Sequence, residues 1–166
     1  MPKLADAKIT STADREIAAT WLFQAPRKLV FKMWTDREHI SNWWGPRGFT
    51  TTTAEMDVRP GGIWRFVLHG PDGRDYPNEI VYREIVGPER ISYSHVSPPP
   101  FETTVTFVEK GTGTEVTART EFESAELRNR VARDHGAGAG LQQTLARLDE
   151  EVAKKMHLLH PPDEKV

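Results

Sequence analysis

Residues 114–122 read TEVTARTEF, and their alternation is strict. Thr114, Val116, Ala118, Thr120 and Phe122 fall on one face, while Glu115, Thr117, Arg119 and Glu121 fall on the other. A period of two marks a strand, and a charged face opposite a less polar one is the pattern of an antiparallel sheet wet on one side. The dry face of such a sheet needs a cover. Leu141, Leu145, Leu148 and Val152 supply one, following each other at spacings of four, three and four, with Arg147, Asp149, Glu150 and Glu151 on the remaining surface. That spacing predicts an amphipathic helix with one apolar stripe.

Toward the N-terminus, short apolar runs alternate with turn sequences: Arg59-Pro60-Gly61-Gly62, Gly70-Pro71-Asp72-Gly73, Gly87-Pro88-Glu89 and Lys110-Gly111-Thr112-Gly113. They separate predicted strands at Thr50–Val58, Ile63–His69, Tyr76–Val86, Arg90–Val96, Glu102–Glu109 and Thr114–Phe122, joined as successive hairpins. A further strand at Asp14–Phe23 places Ile17, Ala19, Trp21 and Phe23 at period two. After Pro26, the spacing of Val30, Met33 and Trp34 predicts a short helix to Trp34. Thr35-Asp36-Arg37-Glu38 has the capping-box pattern, so a second helix is expected from Thr35, carrying Ile40, Trp43 and Trp44 and stopping at Gly45. Ser124 is placed to cap another helix, Gly136, Gly138 and Gly140 form a loose start to the long one, and the tail from His157 is expected to fray. The order gives an α+β fold: a curved antiparallel sheet of about seven strands with a long C-terminal helix across it.

The 166 residues fit a single domain over 1–166, with an ordered core expected over about 12–157. Twenty-two Lys and Arg against twenty-four Asp and Glu leave a formal charge of -2, with no basic cluster dense enough to track a phosphate backbone, so nucleic acid is not an expected partner. No apolar run approaches the roughly 20 residues that span a bilayer, and Met1 to Asp14 lacks a signal peptide's apolar stretch. A cytoplasmic protein with no membrane partner is expected. With no cysteine there is no disulfide or thiolate site. The six histidines form no HExxH motif and no tight His-carboxylate cluster, so neither metal nor cofactor is expected. Residues 136–140, GAGAG, lack the lysine and preceding strand of a phosphate loop, and no Gly-x-Ser-x-Gly elbow occurs.

Strand parity lists an interior. Trp64, Phe66 and Leu68 share a face, as do Ile80 with Tyr82, Ile91 with Tyr93 and His95, and Phe101 with Thr103, Val105 and Phe107. This aromatic set with a few polar tips suits either a pocket for an apolar molecule or an ordinary core.

Several stretches carry a family resemblance: Phe23-Gln24-Ala25-Pro26-Arg27 with Val30-Phe31, then Trp34-Thr35-Asp36 through Trp43-Trp44-Gly45-Pro46, then Arg59-Pro60-Gly61-Gly62, and Glu84-Ile85 with Pro88-Glu89-Arg90-Ile91. In this order they resemble the START-like, Bet v 1-like helix-grip superfamily, SRPBCC, and within it the branch named for the activator of Hsp90 ATPase. The resemblance implies a cavity between long helix and sheet, its mouth bordered by the short helices, with either Trp43 or Trp44 closing it and the other on the sheet edge or in solvent. The implied ligand contacts are Trp43, Trp44, Trp64, Phe66, Ile80 and Tyr82, together with Tyr93, His95, Val105, Phe107, Leu141 and Leu145. Many members begin the long helix with Gly-Trp, where this chain has Gly140-Leu141; the cavity then opens wider there, or Trp64 or Trp44 fills the gap.

The expected function is a protein, monomeric or dimeric, that holds a hydrophobic or aromatic small molecule. The alternatives are a cyclase-type enzyme using His95, Tyr82 or Tyr93 as acid-base groups, with no catalytic residue otherwise assigned, and a co-chaperone or stress-response protein contacting an Hsp90-type partner. From charge alone, purified protein at micromolar concentration should leave duplex DNA and RNA unshifted in a gel at physiological salt. Salt-sensitive retention of either would overturn that expectation.

Overall fold

The computed structural model describes residues 8–9, 14–135 and 137–159. A two-residue strand β1 (Lys8–Ile9) and β2 (Glu16–Phe23) precede the helices α1 (Arg27–Thr35) and α2 (Arg37–Ile40). Six strands follow: β3 (Thr50–Met56), β4 (Ile63–His69), β5 (Asp75–Val86), β6 (Arg90–His95), β7 (Phe101–Lys110) and β8 (Gly113–Glu121). The chain then forms α3 (Ala125–His135) and α4 (Ala137–Leu159). All seven predicted strands are present, and β1 adds a short eighth on the edge, outside the expected ordered core. Among the described residues no helix is long and apolar enough to cross a membrane.

The sheet order is β1-β2-β8-β7-β6-β5-β4-β3, every neighbour antiparallel. Strands β3 to β8 form a meander, and β2 returns to pair with β8, Trp21 opposite Val116 and Phe23 opposite Thr114. The alternation of residues 114–122 resolves as expected: Thr114, Val116, Ala118 and Phe122 are buried, while Arg119 is exposed and ion-paired with Glu16. On the inner face one cross-strand row runs Tyr82, Tyr93, Thr103, Thr120, Ile17, with Ile91, Val105, Ala118 and Ala19 forming a parallel row. Over this face lies α4, whose Leu145, Leu148 and Val152 are buried as the stripe predicts.

Three local expectations are corrected. The capping box does not form, because α1 continues through Thr35, whose Oγ1 donates to the Phe31 carbonyl at 3.1 Å. The extended Asp36 separates the helices instead, and its carboxylate accepts from the Glu38 amide at 2.9 Å. The second helix therefore ends at Ile40, and Trp43 and Trp44 follow it in a turn held by the Ile40 carbonyl, which accepts from both of their amides. Third, α4 begins at Ala137, so Gly138 and Gly140 lie inside its first turns, and it continues past His157 to Leu159. Gly136 and the tail residues Pro161 and Pro162 lie outside the described residues.

The β3–β4 turn needs Gly62 for space. A Cβ there would sit 1.9 Å from the Asp57 carbonyl oxygen, far inside contact distance, and the Gly62 amide donates to Arg59 O at 2.8 Å. Gly62→Ala should therefore destabilise the protein by about 3 kcal/mol, in the upper range for a strained backbone position, measured by denaturant unfolding. A loss within ~0.5 kcal/mol, as for an ordinary surface change, would refute this account of the turn.

Candidate ligand cavity

Between α4 and the sheet lies a cavity of about 700 Å³. The loop after α2 contributes Trp44, and β4, β5, β6 and β7 contribute Phe66, Ile80, Tyr93, His95 and Val105 to its wall; α4 contributes Leu141 and Leu145. Four of the residues expected there lie behind it. Trp43 is fully buried beneath Trp44, Trp64 is stacked on Phe66 at 4.0 Å, Tyr82 packs edge-on to Tyr93, and Phe107 packs against Trp34 and Phe31. Sequence reasoning missed Trp34, Phe49, Asn78 and Pro99, which also line it. Trp34 carried a signal, since it belongs to the buried face of α1; parity counting covered only strands.

The two adjacent indoles now separate. Trp44 faces the cavity and meets Trp64 at 5.0 Å and Phe66 at 6.1 Å between ring centroids. Trp43, rather than reaching the sheet edge or solvent, turns inward against Trp34 at 4.8 Å, and its Nε1 donates to the Met33 carbonyl at 3.1 Å. That carbonyl is in the last turn of α1, where helical carbonyls lack an intrahelical partner. Trp43 thus closes the end of α1, and Trp44 is left for the cavity. Gly45, at φ 104°, follows in the left-handed region, and a Cβ there would come within 3.0 Å of Leu68 Cδ2. Leu141 itself remains half-buried on the cavity wall.

The loop is fastened to α4. Arg147, which the helical pattern assigned to the polar surface, directs its guanidinium into the loop instead. Its Nη1 donates to the carbonyls of Gly45 at 2.9 Å, Phe49 at 3.0 Å and Pro46 at 3.1 Å, with Trp44 at 3.4 Å, and Nη2 donates to Asn42 at 3.3 Å. Arg47 in the same loop pairs with Glu150, and its amide donates to Gln143 Oε1 at 3.1 Å.

One part of the wall is polar. Thr103 and Thr120 share a hydrogen bond at 2.9 Å, and Tyr93 stands opposite Thr103 in the β6–β7 register. Burial pushes the Tyr93 phenol up to about 12 and raises that of Tyr82 as well. His95 stacks on Phe101 at 4.3 Å; its Nδ1 lies 2.9 Å from the Pro99 carbonyl and its Nε2 2.6 Å from Asn78 Oδ1. The Asn78 amide is oriented by its Nδ2, which donates to Tyr76 O at 2.8 Å. Both ring nitrogens thus face acceptors, which favours the imidazolium, yet burial outweighs them and holds the His95 pKa below its ordinary value.

Between the folded value of His95 and the unfolded one near 6.5, the unfolded chain binds a proton that the folded chain does not, so stability is full above that window and falls as pH drops through it. Thermal melts from about pH 8 to about pH 5 should show a falling Tm whose slope is reduced in His95→Gln. Equal slopes in the two proteins would refute it.

Residues 24–153 match the family described as Activator of Hsp90 ATPase homolog 1-like protein. No curated protein matches the sequence. Among solved structures, a protein from Arthrobacter aurescens superposes with a TM-score of 0.83 at 19% identity, covering 96% of this chain and 98% of its own. One from Nitrosomonas europaea gives 0.81 at 20% identity, with 88% and 99% covered. An AHSA1-like protein from Aeromonas hydrophila gives 0.70 at 20% identity, with 85% and 94% covered. At these identities the likeness is one of fold.

Proposed function

Because the chain belongs to the family of Activator of Hsp90 ATPase homolog 1-like proteins, whose fold leaves space beneath the long helix, we propose that it is a cytoplasmic binding protein for a hydrophobic or aromatic small molecule. The observation that carries this reading is the cavity of about 700 Å³ walled by Trp44, Phe66, Ile80, Val105, Leu141 and Leu145. Ligand pockets are concave, mostly apolar and of about this volume, 300 to 1,000 Å³. A two-ring aromatic burying about 200 Å² would gain only about 5 kcal/mol gross from leaving water. Association then subtracts from that gain. Micromolar affinity therefore calls for a molecule of three rings or more, or for added hydrogen bonds.

Acid-base catalysis has less support. Tyr82 lies behind the wall, burial holds both phenols in the protonated form, and both nitrogens of His95 already face protein acceptors. Contact with an Hsp90-type chaperone is the second reading, and its support is the family description.

The uncharged dye N-phenylnaphthylamine should brighten on binding the parent. Leu141→Trp should fold normally and weaken binding about tenfold by filling the cavity. Glu115→Gln, on the outer face beside Lys110, should bind as the parent does. A parent that leaves the dye dark would sink the small-molecule reading.

A further inference from the structure

The charge of the cavity wall narrows the class of occupant. Among the described lining residues there is no Lys or Arg, and the two charged ones, Asp75 and Asp134, are both acidic. Arg147, beside the cavity, already serves five loop carbonyls, and Arg47 is paired with Glu150. Burial holds His95 toward its neutral form. A carboxylate placed here would lose its hydration without meeting a cation among the described lining residues, the most expensive way to bury a charge.

The polar groups of the wall are neutral. Tyr93, Thr103 and Thr120 form one cross-strand row of hydroxyls, with His95 and Asn78 beside it. Hydroxyls both donate and accept, so this row can serve a ligand hydroxyl or carbonyl equally well. The surrounding aromatic and aliphatic residues receive the rest of the molecule.

We propose that the cavity selects its occupant by charge, taking an uncharged polycyclic aromatic that carries a hydroxyl or carbonyl, seated on the row Tyr93, Thr103 and Thr120, and rejecting carboxylates of the same shape. The proposal rests on the small-molecule reading of the cavity. It adds a specificity rule and the residues that impose it.

The test uses three phenanthrenes substituted at the same carbon with methyl, hydroxyl or carboxylate, each competing against N-phenylnaphthylamine at neutral pH. The phenanthrol should displace the dye at about tenfold lower concentration than the carboxylate. In the double variant Thr103→Val, Thr120→Val, both partners of one hydrogen bond are replaced by groups of similar shape, a change near neutral for stability. There the phenanthrol should weaken about fivefold while methylphenanthrene binds as before. A dye that never binds the parent removes the small-molecule reading and this proposal with it. If the dye binds, a carboxylate equal to or better than the phenanthrol overturns the proposal alone. So does a phenanthrol that fails to compete, or a methyl compound that weakens as much as the phenanthrol in the double variant.

Discussion

The guanidinium of Arg147 ties the helical cover of this protein to the loop that walls its cavity. Five backbone carbonyls of residues 42–49 turn toward one side chain on α4. Carbonyls left without donors in a partly buried loop would carry a desolvation penalty. A single guanidinium, with five N–H donors in a rigid plane, can satisfy several of them at once through shared bonds. Burial lowers its pKa only from a very high starting value, so the charge persists and keeps the carbonyl dipoles aligned. The position of Trp44 follows, because its own carbonyl and that of Gly45 are among those held.

Beside the fastened loop, α4 is buried unevenly along its length. Its apolar stripe buries Leu145, Leu148 and Val152 completely or nearly so, while Leu141, one turn earlier, remains half-buried. The indoles Trp34, Trp43, Trp44 and Trp64 meet edge to face in a continuous series. Such packing supports a rigid wall on one side of the cavity. Farther along the sheet, the inner face of β6, β7 and β8 carries hydroxyls and His95 among apolar rows, and these keep hydrogen-bonding capacity at a position where a solid core would have none. The cavity wall thus joins an aromatic part to a hydrogen-bonding part.

His95 illustrates the tension in that arrangement. Its neighbours present two acceptors to a ring that, when neutral, has one N–H to donate. Protonation would satisfy both, but burial opposes the charge and prevails. Buried polar groups in low dielectric carry large consequences in either direction, which is why this one histidine couples the β6–β7 loop, through Pro99, to β5, through Asn78.

What the sequence by itself determined was the set of elements and their inner faces. Period two in residues 114–122 and period 3.6 in residues 141–152 are local properties, and so seven of the eight strands, the long helix and eight residues of the cavity wall were legible in the sequence. The same local reading went astray wherever a second segment had to be consulted. Thr35 matched a capping box, yet its hydroxyl went to the Phe31 carbonyl because α1 ran one residue longer. Trp43 and Trp44 looked equivalent; the carbonyl of Met33, left open at the end of α1, took the first and sent the second to the cavity. Arg147 read as a solvated residue on a polar helix face, and Asn78 carried no signal at all. Arg147 meets loop carbonyls about 100 residues away, which become its neighbours only when α4 lies across the sheet, and Asn78 meets His95, 17 residues on, only when β5 pairs with β6.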